Sequence, residues 1–229
     1  AALRLDIEDA RAAWEWSAAQ GDVPRLEGAV AALCWFYQSE GRTQEGIEAC
    51  DLALAIEAPP SWALGVTRWP YLRGQALTWK GCHQHWRAEY ELERDTLRQG
   101  LEALQQAEAQ GRDTRFERAL ALYTLSDNYQ VRWDMTEGLE LAEEALVLSR
   151  EAGDSRWAAQ AQTQVGYIAF LMGQGCAEGR RALEESMVTC RQMDDHRGTA
   201  RVLANLALAV AYGGDAEHAE PLAREALAV

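Results

Sequence analysis

A tetrapeptide pattern that returns at a fixed interval is the feature that most constrains the fold of this chain. Asp113-Thr-Arg-Phe116, Asp154-Ser-Arg-Trp157 and Asp195-His-Arg-Gly198 open alike, and consecutive openings are 41 residues apart. Fixed-period self-similarity of this length is typical of stacked repeats. Each opening also places an Asp where a helix is expected to begin, because its carboxylate can accept hydrogen bonds from the free backbone amides there.

Small residues recur at matching positions inside these segments. The first set stands at Ser126, Gly166 and Ala207, and the second set follows twelve or thirteen residues later at Gly138, Gly179 and Ala219. An earlier copy begins at Cys34 and continues through Tyr37, Gly46 and Ala53. Two antiparallel helices approach closely only where small side chains face each other, so the pattern predicts helix pairs.

A single helix pair cannot bury both of its apolar faces, so the pairs must stack. The sequence therefore predicts an all-α fold, a right-handed superhelical solenoid of about five antiparallel helix pairs. A four-helix bundle could imitate part of the periodicity, but it would not repeat the small residues four times. The predicted division is a lead-in helix over 1–22, repeats over 23–58, 113–153, 154–194 and 195–229, and a degenerate extended repeat over 59–112 with a long second helix from about Arg87 to Gln110.

The small residues, together with a Tyr three positions after the first of them, resemble the tetratricopeptide repeat. The residues that carry the resemblance are Cys34, Tyr37, Gly46 and Ala53; Ser126, Tyr129, Gly138 and Ala145; Gly166, Gly179 and Ser186; and Ala207, Ala219 and Ala226. The period is longer than the ~34 residues of the standard repeat. Ala169 and Val210 replace the Tyr, and the usual helix-ending prolines are missing.

Long repeats of this kind are similar to the C-terminal sensor arrays of bacterial STAND-type signalling ATPases, including MalT-like and AfsR-like regulators. The opening segment 6–22 resembles the helix that joins the ATPase module to those repeats. The resemblance implies that this chain is the sensor or partner-binding arm of a larger protein. The chain also starts without Met and stops within a helical pattern, so we expect a segment cut from a longer protein.

Charge and composition exclude several classes of partner. The net charge of -14 would repel a phosphate backbone, so we expect no nucleic-acid binding through this segment. No apolar run approaches the ~20 residues of a membrane span, and we expect no membrane contact. No signal peptide is visible, and the five cysteines follow no disulfide or zinc spacing, so buried reduced thiols in a cytoplasmic protein are expected.

Motifs that carry chemistry are missing from the sequence. There is no phosphate-binding loop around Lys80, no Gly-x-Ser-x-Gly elbow and no His-Glu-x-x-His or Cys-x-x-Cys pair. Cys82, His83 and His85 could supply zinc ligands, but a polar stretch in an irregular repeat is the simpler interpretation. The glutamates of the second helices, such as Glu143 and Glu184, are expected to form a solvated acidic face. We predict no enzyme activity, cofactor or metal.

The resemblance implies a ligand site on the first helix of each pair, because the positions around the central small residue line the concave surface of tetratricopeptide arrays. Aromatic rings interleaved with amides suit a peptide groove. The predicted groove residues are Trp35, Gln38, Tyr123, Asp127, Gln130, Tyr167, Phe170, Asn205 and Tyr212. A clamp for a C-terminal carboxylate is not expected, because Arg201 and Asn205 occur together in one repeat only.

A protein- or peptide-binding module is therefore the function that the sequence favours. A sensor for a small-molecule inducer, for example an oligosaccharide held on the aromatic side chains, is the first alternative. A structural self-association scaffold is the second alternative, and it would be favoured if the chain's own side chains fill the groove.

Overall fold

The structure is a computed structural model that describes residues 7–57, 68–173 and 176–229. Every regular element in those ranges is an α-helix. The bounds are α1 Ile7–Ala19, α2 Val23–Ser39, α3 Thr43–Leu54, α4 Trp69–Trp86, α5 Tyr90–Ala109, α6 Arg115–Val131, α7 Met135–Glu151, α8 Ser155–Leu171, α9 Cys176–Gln192, α10 His196–Tyr212 and α11 Ala216–Ala228. The predicted all-α class is confirmed. No helix in the described part of the chain is long and apolar enough to cross a membrane.

Two of these helices fall within each predicted repeat, and α1 falls within the predicted lead-in segment. The predicted long helix of the degenerate repeat corresponds to α5, which begins three residues later than expected. The first residues of the lead-in segment, up to residue 6, and the boundary between residues 58 and 59 lie outside the described residues. The division of the chain into repeats stays a prediction.

Aspartates begin several helices, as the repeated opening predicted. Asp154 accepts a hydrogen bond from the Trp157 amide at 3.0 Å, and Asp195 accepts one from the Gly198 amide at 3.1 Å. Asp113 accepts one from the Arg115 amide at 3.2 Å. These bonds satisfy amides that have no partner within the helix and place negative charge at the positive end of its dipole.

The helix ends share a turn that the sequence analysis did not identify. The second residue after a helix has a positive φ after nine of the helices described, and six of these residues are glycines, for example Gly41 and Gly173. Ala88, Trp133 and Asp194 adopt the same conformation with a side chain present. Glycine is favoured there because it has no β-carbon to clash with the backbone.

The chain divides into two compact units, residues 1–121 and 122–229. In the first unit, the Cys34 and Cys50 sulfur atoms lie 3.5 Å apart where α2 meets α3. Both thiols are free and buried, as are those of Cys82 and Cys190, so the expected burial is confirmed for these four cysteines. The side chain of Cys176 lies outside the described residues.

In the second unit, small residues lie at the helix contacts, as predicted. The Ser126 hydroxyl donates to the Gly138 carbonyl at 2.7 Å, which joins α6 to α7. A β-carbon on Gly166 of α8 would lie 2.8 Å from the Gly179 carbonyl of α9, closer than such atoms can approach. Apolar residues close the core on either side, among them Leu183, Val202 and Leu206.

Candidate functional site

The predicted groove residues of the first unit, Trp35 and Gln38, lie on the C-terminal half of α2. Trp35 is 36% exposed, and its ring meets the buried ring of Trp79 edge-on at a centroid distance of 6.4 Å. Gln38 is half-buried. Trp35 therefore offers one edge to solvent while α4 supports its other side.

In the second unit, polar groove residues of α6 are joined to α8 by hydrogen bonds. The Gln164 side-chain amide donates to Asp127 Oδ1 at 3.2 Å and also to Gln130 Oε1. Gln164 itself is buried. We call these three residues the amide row. These hydrogen bonds restrict the side chains of Asp127 and Gln130. A ligand that bound their oxygen atoms would therefore cost less side-chain conformational entropy.

Tyr123 lies beneath other side chains and is only 8% exposed. Its ring meets that of Trp157 at 5.6 Å, and the guanidinium carbon of Arg201 lies 5.2 Å from the ring centroid. A cation above an aromatic face is attracted by the electron density of the ring. A direct ligand contact of Tyr123 stays a prediction, and it would require Arg201 to move.

Arg201 has an unusual environment for a guanidinium. Its Nη2 donates to the Gln160 carbonyl at 3.3 Å, its Nε has no hydrogen-bond partner, and no carboxylate of the described residues forms an ion pair with it. Loss of water around the charge lowers the pKa of Arg201 to about 10. From the sequence, Arg201 was expected to matter only as part of a carboxylate clamp. The signal that could have drawn attention to it is the four-residue spacing to Asn205, which places both side chains on one face of α10.

Three aromatic residues, Tyr167, Phe170 and Tyr212, form what we call the aromatic cluster. The rings of Phe170 and Tyr212 are 6.5 Å apart and tilted by 44°. Tyr167 and Phe170 pack against the core, whereas Tyr212 is 74% exposed. Burial, with smaller effects of the nearby Tyr212 and Asp127, raises the pKa of Tyr167, so its hydroxyl stays protonated at neutral pH.

Asn205 is partly buried and makes no side-chain hydrogen bond with any described residue. It lies one turn after Arg201 on α10, the helix that also carries Tyr212. The structure therefore brings together Asp127 and Gln130 through the amide row, and Phe170 and Tyr212 through ring contact. Asn205 adds unused amide groups to this unit.

The Cys82, His83 and His85 segment forms the last turns of α4. His83 is fully buried, and neither of its ring nitrogens has a hydrogen-bond partner among the residues that the structure describes. Burial lowers the pKa of His83 to about 4. Nδ1 of His85 lies 3.2 Å from the buried Glu93 carboxylate of α5. Across the described ranges, no group of three or more His, Cys, Asp or Glu side chains is arranged to hold a metal ion.

Comparison with known proteins supports the repeat interpretation. Residues 157–229 match the family model of the tetratricopeptide repeat. No curated protein sequence matches this chain significantly. Tetratricopeptide repeats generally mediate interactions between proteins.

Solved structures with a similar fold cover nearly the whole chain. The crystal structure of BtubC (BKLC) from P. vanneervenii superposes with a TM-score of 0.66 over 99% of this chain and 90% of its own, at 15% sequence identity. The TPR-like repeats of a kinesin light chain candidate from Podosopora anserina give a TM-score of 0.56 over 90% and 95%, at 17% identity. A variant of those repeats with a single substitution gives 0.57 over 90% and 94%, at 16% identity. At these identities the likeness shows the fold, which is that of tetratricopeptide-like helical repeats.

Proposed function

We propose that this chain is a non-catalytic module that binds a protein or peptide, and that it is the partner-binding arm of a larger, cytoplasmic bacterial signalling protein. The observation that carries the proposal is the aromatic cluster, where 74% of Tyr212 is exposed beside two supported rings. Tyrosine is enriched at protein interfaces because it combines a large apolar ring with a hydroxyl group.

Polar groups around the cluster suit the backbone of a peptide. Asn205 has free donors and acceptors, and the oxygen atoms of the amide row are already fixed in position. A peptide that crossed α6, α8 and α10 would place apolar side chains on the aromatic cluster and form hydrogen bonds with Asn205 and the amide row. The amides would then set the register of the peptide, and Tyr212 would supply most of the buried apolar surface.

The proposal can be tested by selecting peptides from a random display library against the full chain and measuring the dissociation constants by isothermal titration calorimetry. We expect Tyr212→Ala to weaken the selected peptides by about tenfold or more, as truncation of an interface anchor does. Val188→Ala is the matched control, because Val188 is an exposed apolar residue on α9. Equal affinity of the wild type and the Tyr212→Ala variant would contradict the proposal.

The same variants separate the two alternatives. If the chain binds an oligosaccharide and Tyr212→Ala abolishes that binding, while the peptide selection yields no binder, the small-molecule sensor would be favoured. Concentration-dependent dimerisation that Tyr212→Ala abolishes, measured by sedimentation, would favour the self-association scaffold.

A further inference from the structure

A cleft of about 410 Å³ opens in the first unit between α1 and α3, with α2 beneath it. Its floor consists of the buried residues Trp14, Tyr37 and Ala49, and Leu52 adds apolar surface. Its charged lining contains Arg11 and four carboxylates, those of Glu15, Glu45, Glu48 and Asp51. None of these residues belongs to the second unit, so this site is independent of the aromatic cluster.

The hydroxyl of Tyr37 is the unused polar group on the floor of the cleft. Tyr37 is 1% exposed, and its hydroxyl makes no hydrogen bond with any described residue. The indole of Trp14, by contrast, donates to the Ala49 carbonyl at 3.0 Å. Because Tyr37 lines the cleft, this hydroxyl is available to a ligand there that supplies a hydrogen-bonding group.

The state of the Tyr37 hydroxyl limits the chemistry of that ligand. Burial, with a smaller effect of the Glu45 charge, raises the pKa of Tyr37, so the hydroxyl keeps its proton at neutral pH. Its oxygen can accept a hydrogen bond from an N–H group. A ligand with several N–H donors could bond Tyr37 and a neighbouring carboxylate together.

The carboxylates of the cleft differ in whether a cation is paired with them. Arg11 pairs with Glu15 at 2.9 Å, Lys80 pairs with Asp51 at 2.6 Å, and Arg42 pairs with Glu45. Among the described residues, Glu48 receives a hydrogen bond only from the neutral amide of Gln44, at 3.1 Å, and pairs with no cation. Glu48 is therefore the negative charge of the lining that has no cation beside it, and it would attract a positive group.

We propose that this cleft binds the guanidinium group of an arginine side chain presented by a partner protein. The planar guanidinium carries five N–H donors, so one group can donate to the Tyr37 hydroxyl and to the Glu48 carboxylate, which line the same cleft. The methylene groups of the arginine would lie on Trp14 and Leu52. Long cationic side chains can cover apolar surface in this way while the charged group stays in contact with polar groups. A metal ion fits less well, because it would need oxygen ligands that are already paired with Arg11, Arg42 and Lys80.

The experiment is a titration of the full chain with N-acetyl-arginine amide, followed by NMR at the indole N–H of Trp14. We expect a saturable shift with this probe and none with N-acetyl-citrulline amide, which has nearly the same shape without the charge. Glu48→Gln and Tyr37→Phe should each weaken binding by about tenfold, the equivalent of one charge-assisted hydrogen bond. Tyr37→Phe keeps the ring, and its melting temperature reports whether the fold is retained.

Glu140→Gln is the matched control, because Glu140 is an exposed carboxylate on α7 outside the cleft. It should leave the titration unchanged, as should Tyr212→Ala. Equal shifts with the citrulline probe, or unchanged binding by a folded Tyr37→Phe variant, would overturn the assignment. Tighter binding of free arginine than of the amide would overturn the assignment to a protein side chain.

Discussion

The helix pairs α4/α5 and α8/α9 both place glycines at their contact, but different atoms fill the space beside those glycines. In α8/α9, Gly166 faces Gly179, and the obstacle to a side chain on either is the carbonyl oxygen of the other. In α4/α5, a β-carbon on Gly81 would overlap a methyl group of Leu97, and one on Gly74 would lie 2.6 Å from Leu104. One pair is limited by its backbone and the other by leucine side chains.

A second difference lies at the fourth residue of the second helix. Gly179 holds this position in α9, whereas Glu93 holds it in α5 and is fully buried beside His85. Leucine can enter the contact of α4/α5 because the glycines leave hollows there, and the longer helices supply a further contact where Gly100 lies against Thr78. The comparison shows that the same helix-pair fold accepts two kinds of contact.

The largest expected effect on stability comes from moving a side chain from one helix of the α4/α5 contact to the other, by shortening Leu97 and adding a methyl group at Gly81. Leu97→Ala should lower the free energy of unfolding by about 2–5 kcal/mol, because Leu97 is fully buried and leaves a cavity. Gly81→Ala should cost about 1–3 kcal/mol through overlap with Leu97. The free energy of unfolding of the double variant should fall by at least about 1 kcal/mol less than the sum of the two single losses, because the new methyl group enters the space that Leu97 vacates. Urea denaturation followed by circular dichroism measures all three.

Gly166→Ala in α8/α9 is the comparison for this cycle. Its β-carbon would meet the Gly179 carbonyl, so Leu183→Ala should not rescue it, even though Leu183 also contacts that position at 3.2 Å. Rescue of Gly166→Ala to the extent seen for Gly81→Ala would remove the distinction between the two contacts.

An effect of intermediate size is expected on the pH dependence of stability, which should differ between the first unit and the second. His83 is buried without a hydrogen-bond partner in the described part of the chain, and its pKa is about 4 in the fold, against ~6.5 in an unfolded chain. The unfolded chain therefore binds more protons between these values, so stability falls as the pH decreases from 6.5 to 4. The loss between pH 7 and pH 5 should be about 2 kcal/mol.

His83→Leu should remove this part of the pH dependence, whereas His196→Gln, which changes an exposed histidine, should leave it. Hydrogen exchange of α4 and α8 amides at pH 7 and pH 5 provides the measurement. The opening free energy should decrease with acid in α4, where His83 lies, and change little in α8. An equal decrease in both helices would show that His83 is not its source.

The smallest effect concerns the turns of the two pairs. Ala88 is the second residue after α4 and has a φ of 58°, and Gly173 is the second residue after α8 and has a φ of 67°. Ala88→Gly should raise the free energy of unfolding by about 0.5–1 kcal/mol, because glycine removes the strain of the left-handed conformation. Gly173→Ala should lower it by about 1 kcal/mol for the opposite reason. Thermal unfolding resolves both, and shifts of the same sign would contradict this interpretation.

Much of the fold followed from local patterns. The aspartates at 113, 154 and 195 predicted hydrogen bonds to helix amides, and the recurring small residues predicted where helices meet. The α4/α5 pair was harder to predict, because its helices carry buried polar residues such as Gln84 and Glu93 that weaken the apolar periodicity. The polar segment around His83 gave no sign that the tertiary structure buries it.

The candidate site was less predictable. Position in the repeat predicted that Tyr123 and Tyr212 would line one groove, but it could not show that Arg201 and Trp157 cover Tyr123 while Tyr212 remains exposed. The Tyr37 hydroxyl was equally hidden from the sequence analysis, where Tyr37 served only as part of the repeat pattern. Contact between side chains depends on the packing of helices that are distant in sequence.

The sequence by itself determined the helix starts, the spacing of the close contacts and the all-α class. These properties depend on capping, side-chain size and period, which act within a few residues or recur at fixed intervals. Only the tertiary structure decided that Leu97 fills the hollow at Gly81, that His83 is buried with no partner among the described residues, and that Tyr37 lies on the floor of an acidic cleft. Burial and the loss of hydrogen-bond partners arise from atoms of several helices together, and one helix does not encode them.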